Sequence, residues 1–362
     1  MTSLSFSLDA PRGENFRLCA QAEIPLTGIT GVHGPSGSGK TSLLSALAGL
    51  LSARGYVSVG SDTWLDESTS IASHQRSVSL VFQDSRLFPH LDTRGNLEFA
   101  WRRRRKAGPG PDQVAEWFGL ADLLDRKPDQ LSRGQQQRVA LARGLVSAPE
   151  LLLLDEPLSN IDVAGRQLIL PRLRQLQQEQ GFAMLYVSHD MAELSQLADW
   201  LLVMENGKLT ANGPLIELST DLGLSLAHEE RAAAVLEARV SQHDSKYNLT
   251  ELELEGQTLI VSALDREPGT PMRLQVPARD ISLCLLRPEQ TSILNVLEVR
   301  VDAIEAAAGS QVLLRLQVGG QFLLARVTRK SVDALNLGVG DAIYAQVKSV
   351  ALLSDTHGGA DA

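Results

Sequence analysis

The chain has 362 residues, a hydrophobic content of 43% and a formal net charge of −9 at pH 7. That gives room for two packed domains and the wrong sign for a general nucleic-acid binder. No run approaches the roughly eighteen consecutive apolar residues of a membrane helix, and Met1 to Asp9 carries neither a basic start nor a cleavage pattern for export. Cys19 and Cys284 lie far apart and read as reduced core thiols, not as a disulfide or a metal pair.

In chain order, Ile29 to His33 predicts a strand and Ser42 to Ala48 a helix. Between them Gly34, Pro35, Ser36, Gly37, Ser38, Gly39, Lys40 and Thr41 fill every position of G-x-x-x-x-G-K-[ST]. Glycines there allow unusual backbone angles, so successive N–H groups and the helix start converge on phosphate oxygens. Lys40 then meets the terminal phosphates and Thr41 a magnesium ion. Gln83 follows an apolar strand. Residues 84–143 are poor in strands and predict a helical subdomain; the basic run Arg102 to Lys106 within it reads as a solvated helix face or loop, with lipid head groups or a partner as the other reading. Ser132 and Gly134 open a helix and offer an anion site that needs no lysine, although a polar helix cap uses the same residues. Leu151 to Leu154 reads as a strand buried on both faces or a core helix segment. At its end Asp155 is suited to magnesium, and Glu156 to the place of an attacking water. Met184 to Ser188 predicts a strand that ends at His189.

To about Glu217 strands and helices alternate, which predicts a mostly parallel sheet with ligands at its carboxyl ends. Ser219 to Arg239 reads as a transition built on a Leu- and Ala-rich helix. Short strands follow: 248–254, 258–262, 273–276, 281–286, 296–303, 311–318, 321–328 and 341–350. Gly319-Gly320 reads as a hairpin turn, and the spacing favours a small β-barrel appendage, with Leu286 to Gln290 linking its halves.

Leu131 to Arg143 resembles the signature motif of ATP-binding cassette (ABC) ATPases, usually L-S-G-G-Q, here with Arg133 at the third position. The resemblance implies that Ser132, Gly134 and Gln135 face the γ-phosphate held by a second subunit, so that a homodimer closes around two ATP molecules. It also implies that Gln83 touches magnesium and the attacking water, that Ser159 to Asp162 crosses the dimer interface, and that His189 senses the γ-phosphate. The remaining histidines read as structural or solvated. Phe16 is the one residue that fits the aromatic expected on adenine; a core phenylalanine in an N-terminal strand fits it too.

The appendage, in the stretches 291–297, 328–337 and 340–348, resembles the Mop-type molybdate-binding domain. That resemblance implies oxyanion contact through Ser292, Asn295 and Lys348; Leu294 stands where arginine is common, and a purely structural or dimerising barrel is the alternative. Along its length the chain is similar to the ATP-binding subunits of bacterial molybdate importers. The expectation is an α/β P-loop ABC ATPase domain over 1–234, with its helical subdomain at 84–143. A linker and first β half over 235–290, a Mop-type domain of TOBE-like, OB-type barrel over 291–353, and a flexible tail over 354–362 complete it. The family implies ATP and Mg2+ as cofactors, integral-membrane permease subunits and a periplasmic molybdate-binding protein as partners, no nucleic acid, and a peripheral place on the cytoplasmic face of the inner membrane. Importers of tungstate, sulfate, ferric iron, polyamine or sugar, and soluble ABC ATPases, share the same catalytic motifs.

Overall fold

The computed structural model describes residues 3–13, 16–306 and 309–353; the expected tail, 354–362, lies outside the described residues. The chain divides in sequence at Gly213–Pro214 into two compact units.

The first unit holds β1 (Ser3–Arg12), β2 (Phe16–Pro25), β3 (Ile29–His33), α1 (Lys40–Leu47), β4 (Arg54–Val59), β5 (Asp62–Leu65) and β6 (Val78–Val81). Then come α2 (Thr93–Trp101), α3 (Pro111–Trp117), α4 (Arg133–Val146), β7 (Leu151–Asp155), α5 (Val163–Gln180), β8 (Ala183–Val187), α6 (Met191–Leu197), β9 (Trp200–Glu205) and β10 (Lys208–Pro214). All ten strands form one sheet in the order β5-β4-β1-β2-β10-β9-β3-β8-β7-β6.

That sheet is parallel where helices intervene and antiparallel where they do not. β6, β7, β8, β3 and β9 run parallel, whereas β1 pairs antiparallel with both β2 and β4, and β4 with β5. The expectation of a mostly parallel sheet is met in the first block and in the pairing of β10 with β2, whereas around β1 a short connection such as Arg12 to Phe16 reverses the chain and leaves no room for a crossover. Sequence pattern follows the same division. β3, β7 and β8 are buried at every position, while β1 alternates, sending Leu4, Phe6, Leu8 and Ala10 inward. The same alternation puts Leu18 and Ala20 of β2 in the core and Cys19 on the exposed face, so Cys19 is not the core thiol expected of it; Cys284 is half-buried.

The order β3-β8-β7-β6 is what builds the site. Each of these parallel strands ends at the same edge, and the residues that follow them are Gly34, His189, Glu156 and Gln83 in turn. α2, α3 and α4 pack on one another between β6 and β7 in sequence, as the helical subdomain requires.

The second unit begins with two short helices, α7 (Leu215–Leu218) and α8 (Ser225–His228), and continues through β11 (Ala233–Asp244), β12 (Leu249–Leu254), β13 (Gln257–Ser262), β14 (Pro271–Pro277) and β15 (Ile281–Cys284). β16 (Asn295–Ala306), β17 (Gln311–Val318), β18 (Gln321–Thr328), α9 (Arg329–Ala334), β19 (Ala342–Val347) and β20 (Ala351–Leu352) complete it. Two antiparallel five-stranded sheets, β13-β12-β11-β14-β20 and β15-β19-β16-β17-β18, share one apolar core that includes Leu236, Leu252, Leu274, Leu297, Leu316 and Ile343.

The Leu- and Ala-rich helix expected within 219–239 is reduced to α8, and from Ala233 the chain is strand. Ala234, Leu236, Ala238 and Val240 point inward at period two, and β11 pairs with β12 on one side and β14 on the other, which outweighs the helix propensity of Ala and Leu. The expected boundary at 234 thus falls inside β11. The sequence halves are also not the sheet halves: β15 joins β19, and β20 joins β14, so each half lends the other an edge strand. Gly319-Gly320 does close a hairpin, pairing Val318 with Gln321.

Candidate active site

The phosphate loop is shaped by glycines that no other residue could replace cheaply. Gly34 has φ 153, and a Cβ there would stand 2.2 Å from the Met204 carbonyl oxygen; Gly39, the residue before α1, has φ 106. Lys40 is buried, and its Nζ donates to the carbonyls of Gly34 at 2.7 Å and Pro35 at 2.9 Å. Burial lowers its pKa, against the opposing pull of Glu156 and Asp155. The Ser38 hydroxyl is buried without a hydrogen-bond partner among the described residues. A cavity of about 270 Å3 opens over this loop, lined by Phe16, Gly37, Lys40, Thr41, Gln83 and Glu156 among others.

Asp155 ends β7 and is buried, which raises its pKa; a hydrogen bond from Thr41 opposes the rise, and the neighbouring Glu156 adds to it. Glu156 itself adopts φ 45, a left-handed conformation that costs a non-glycine residue about 1–3 kcal/mol. The twist is held by a bond from the Glu156 N–H to the Val187 carbonyl at 3.1 Å and turns the carboxylate into the cavity. One of its oxygens, Oε2, is shared: Gln83 Nε2 lies 3.5 Å away and His189 Nδ1 3.4 Å away, with His189 65% exposed. Glu156 and Gln83, expected at the attacking water, and His189, expected at the γ-phosphate, therefore meet at a single oxygen atom.

Phe16 does two things at once. It packs against the core of the sheet, and its ring tip lies 2.8 Å from where a Cβ on Gly39 would stand and 3.3 Å from that of Gly207, so both glycines make room for it. It also lines the cavity.

Ser132 caps α4: its hydroxyl accepts from Gln135 N–H at 3.2 Å, and Gln135 Oε1 accepts from Ser132 N–H at 2.9 Å. None of Ser132, Gly134 and Gln135 is among the described residues lining the phosphate-loop cavity of the same chain. Gly134 instead faces Asn160, whose carbonyl oxygen would lie 3.2 Å from a Cβ there, so the signature segment and the 159–162 turn touch. Asp162 caps α5 by accepting from Gly165 N–H at 2.8 Å.

Several residues of this region carry no sequence motif that would flag them. Arg12, at the end of β1, lines the cavity and donates from Nη1 to the Ser42 hydroxyl at 2.7 Å, adding a second cation at the first turn of α1. Arg86, with φ 43, lies 3.6 Å over the Phe82 ring and close enough to Asp155 to favour its ionised form. Buried Glu193 joins Tyr186, Ser188 and Arg166. Only spatial proximity could have found these three.

Elsewhere the basic run is the exposed turn that the sequence suggests, with each of its side chains given a partner. In the basic run Arg102 pairs with Glu98, Arg103 and Arg104 lie over Phe99 and Trp101, Arg105 donates to the Gln75 and His74 carbonyls, and Lys106 pairs with Glu150. This is a tethered turn, not a free cationic patch. A cavity of about 400 Å3 at the amino ends of β7 and β8, bordered by Trp117, Glu150 and Phe182, contains none of the site residues. In the second unit the buried Asn295 amide bonds the Ile260 backbone through both ends, Ile260 N–H to Oδ1 at 2.6 Å and Nδ2 to the carbonyl at 2.9 Å. Asn295 thus ties β16 to β13 through its Oδ1 and one Nδ2 hydrogen, while Ser292 and Lys348 are exposed.

Comparison with known proteins agrees with this geometry. Residues 20–159 match the ABC transporter family and residues 291–353 the TOBE domain. The chain is 45% identical to molybdenum import ATP-binding protein ModC 2 of Azotobacter vinelandii over 93% of its own length and 95% of that protein's. It is 44% identical to molybdenum import ATP-binding protein ModC of Rhodopseudomonas palustris over 93% and 92%. Among solved structures, the dimeric post-hydrolysis state of the ATP-binding cassette MJ0796 bound to ADP and Pi aligns with a TM-score of 0.50 at 27% identity, covering 59% of this chain and 99% of that one. With a strand-end site of phosphate loop, carboxylate pair, glutamine and histidine, and relatives that match both units, the chain belongs to the molybdenum import ATP-binding proteins of the ABC transporter family.

Proposed function

We propose that the chain is the ATP-hydrolysing subunit of a molybdate importer, working as a homodimer against integral-membrane permease subunits that receive molybdate from a periplasmic binding protein. No helix among the described residues is long and apolar enough to cross a membrane, which suits a peripheral subunit on the cytoplasmic face. The observation that carries the ATPase reading is the meeting of Gln83, His189 and Glu156 at one oxygen beside the phosphate loop. The choice of molybdate rests on the relatives that match nearly the whole chain.

In this reading the loop N–H groups of residues 34–39 and Lys40 hold the β- and γ-phosphates, with Lys40 released from its loop carbonyls to do so. Phe16 supplies an aromatic face for adenine. The Thr41 hydroxyl and the Asp155 carboxylate, already hydrogen-bonded to each other, offer the hard oxygen donors that suit Mg2+, with Gln83 as a further ligand. When bound, the ion neutralises charge on the phosphate oxygens. Glu156 orients a water and accepts its proton as the water oxygen bonds the γ-phosphorus and the bond to the bridging oxygen of ADP breaks. His189 donates to the γ-phosphate. Ser132, Gly134 and Gln135, outside their own chain's cavity, complete the partner subunit's site, where the capped start of α4 presents N–H groups to an anion.

Reconstitution of the complex with binding protein loaded with molybdate, tungstate or sulfate tests the reading. ATP hydrolysis stimulated by the molybdate-loaded protein is expected; stimulation by sulfate alone would move the chain to a different importer.

A further inference from the structure

We infer that Glu193 is a positioning residue for His189, held by a hydrogen-bonded chain that also reaches the 159–162 turn. The inference rests on the role given to His189 above.

Glu193 is a carboxylate only 7% exposed, in the first turn of α6. Its Oε2 accepts from the Tyr186 hydroxyl at 2.9 Å and from the Ser188 hydroxyl at 2.9 Å, and its Oε1 accepts from Arg166 Nη1 at 3.1 Å. Ser188 directly precedes His189, and the Ser188 oxygen also accepts from the N–H of Asp190, which directly follows it, at 3.0 Å. The backbone on both sides of His189 is thereby fixed through one hydroxyl that Glu193 orients. The second arm starts at Arg166, whose Nε donates to the Ile161 carbonyl at 2.9 Å. Ile161 lies in the turn that faces Gly134 and leads into α5.

An ion pair with one buried member, as here, adds little stability, because desolvation of the buried carboxylate offsets much of the attraction. What it does supply is a fixed geometry that fails if either partner moves. Here that geometry links the loop bearing a mostly exposed histidine to the turn beside the signature segment, so displacement of 159–162 is passed to His189 through Arg166, Glu193 and Ser188. Glu193 is not among the described residues lining the phosphate-loop cavity, so it acts on turnover through the groups it holds, His189 first among them.

The test uses the full-length chain carrying Glu193→Gln, with His189→Ala as reference. Turnover should fall about tenfold while the ATP dissociation constant stays within about threefold of wild type. The imidazole resonance of His189, identified by its loss in His189→Ala, should shift or broaden in Glu193→Gln. A purely structural role would lower the melting temperature but leave that resonance and low-temperature turnover in place. If Glu193→Gln fails to fold, Ser188→Ala deletes one hydroxyl and should move the same resonance with a smaller loss of turnover. An unchanged His189 resonance, or turnover within about twofold of wild type, overturns the inference alone. Wild-type turnover in His189→Ala overturns the role of His189 and the inference with it.

Discussion

The phosphate-loop edge of the first unit and the set Ser292, Asn295 and Lys348 of the second both present polar residues, yet they treat them in opposite ways. Over the loop, the Ser38 hydroxyl is buried without a partner among the described residues, Glu156 is left-handed, and Lys40 and Asp155 are charges disfavoured by burial. In the second unit the buried Asn295 amide is satisfied at both ends, and Ser292 and Lys348 face solvent. Unfavourable local energetics persist only where surrounding structure enforces them, and they mark the region prepared for a ligand.

The largest effect expected from this contrast is at Glu156. Glu156→Gln should keep ATP binding and lower turnover by about 10²–10⁴-fold, read by single-turnover hydrolysis alongside nucleotide binding. Turnover at the wild-type rate would remove Glu156 from the proton-accepting role. On the other side, Asn295→Leu should behave as a stability change. It leaves the Ile260 N–H and carbonyl without their partner, at a cost of about 1–3 kcal/mol for each group, so thermal unfolding should begin earlier while ATP hydrolysis at low temperature is untouched.

Asp155→Asn sharpens the contrast through pH. Because burial raises the Asp155 pKa above its ordinary 3.8, the folded chain holds that proton to higher pH than the unfolded chain does. Stability contributed at this site therefore falls as pH rises from 3.8 through the raised value. The melting temperature of Asp155→Asn should gain on that of wild type across that window and hold its advantage at neutral pH, with hydrolysis lost. A constant difference at every pH would show that Asp155 is not strained. The smallest effects belong to Ser292→Ala and Lys348→Ala. Exposed polar contacts of this kind are worth under about 1 kcal/mol, so calorimetric titration of the full chain with molybdate should change little with either. Loss of a strong molybdate heat on either substitution would make the appendage a true oxyanion site.

Much of the first unit can be read locally. The phosphate loop, the run of leucines into Asp155 and Glu156, and the strand ending at His189 are contiguous segments whose period and glycine content dictate their own conformation. The readings that failed depended on pairing. Cys19 lay one residue out of register with the core, and 219–239 read as helical by composition, yet from Ala233 onward it is a strand set by its neighbours. Arg102 to Lys106 form the solvated turn that the sequence suggests, and only their partners, from His74 to Glu150, could not be read locally.

The sequence by itself determined that this protein carries a phosphate loop, a strand-end carboxylate pair, a signature helix and an all-β appendage, because each is written in a short stretch whose backbone preference and burial period are local properties. Tertiary structure alone decided that strands β3, β8, β7 and β6 lie side by side, bringing Gln83, Glu156 and His189 to one oxygen. It also decided that Arg12 and Glu193 join that region and that Asn295 ties β16 to β13. Those outcomes are set by strand order and by side-chain hydrogen bonds between residues that, as with Gln83 and Glu156, lie 73 positions apart, and no local pattern encodes which distant partner a polar group will meet.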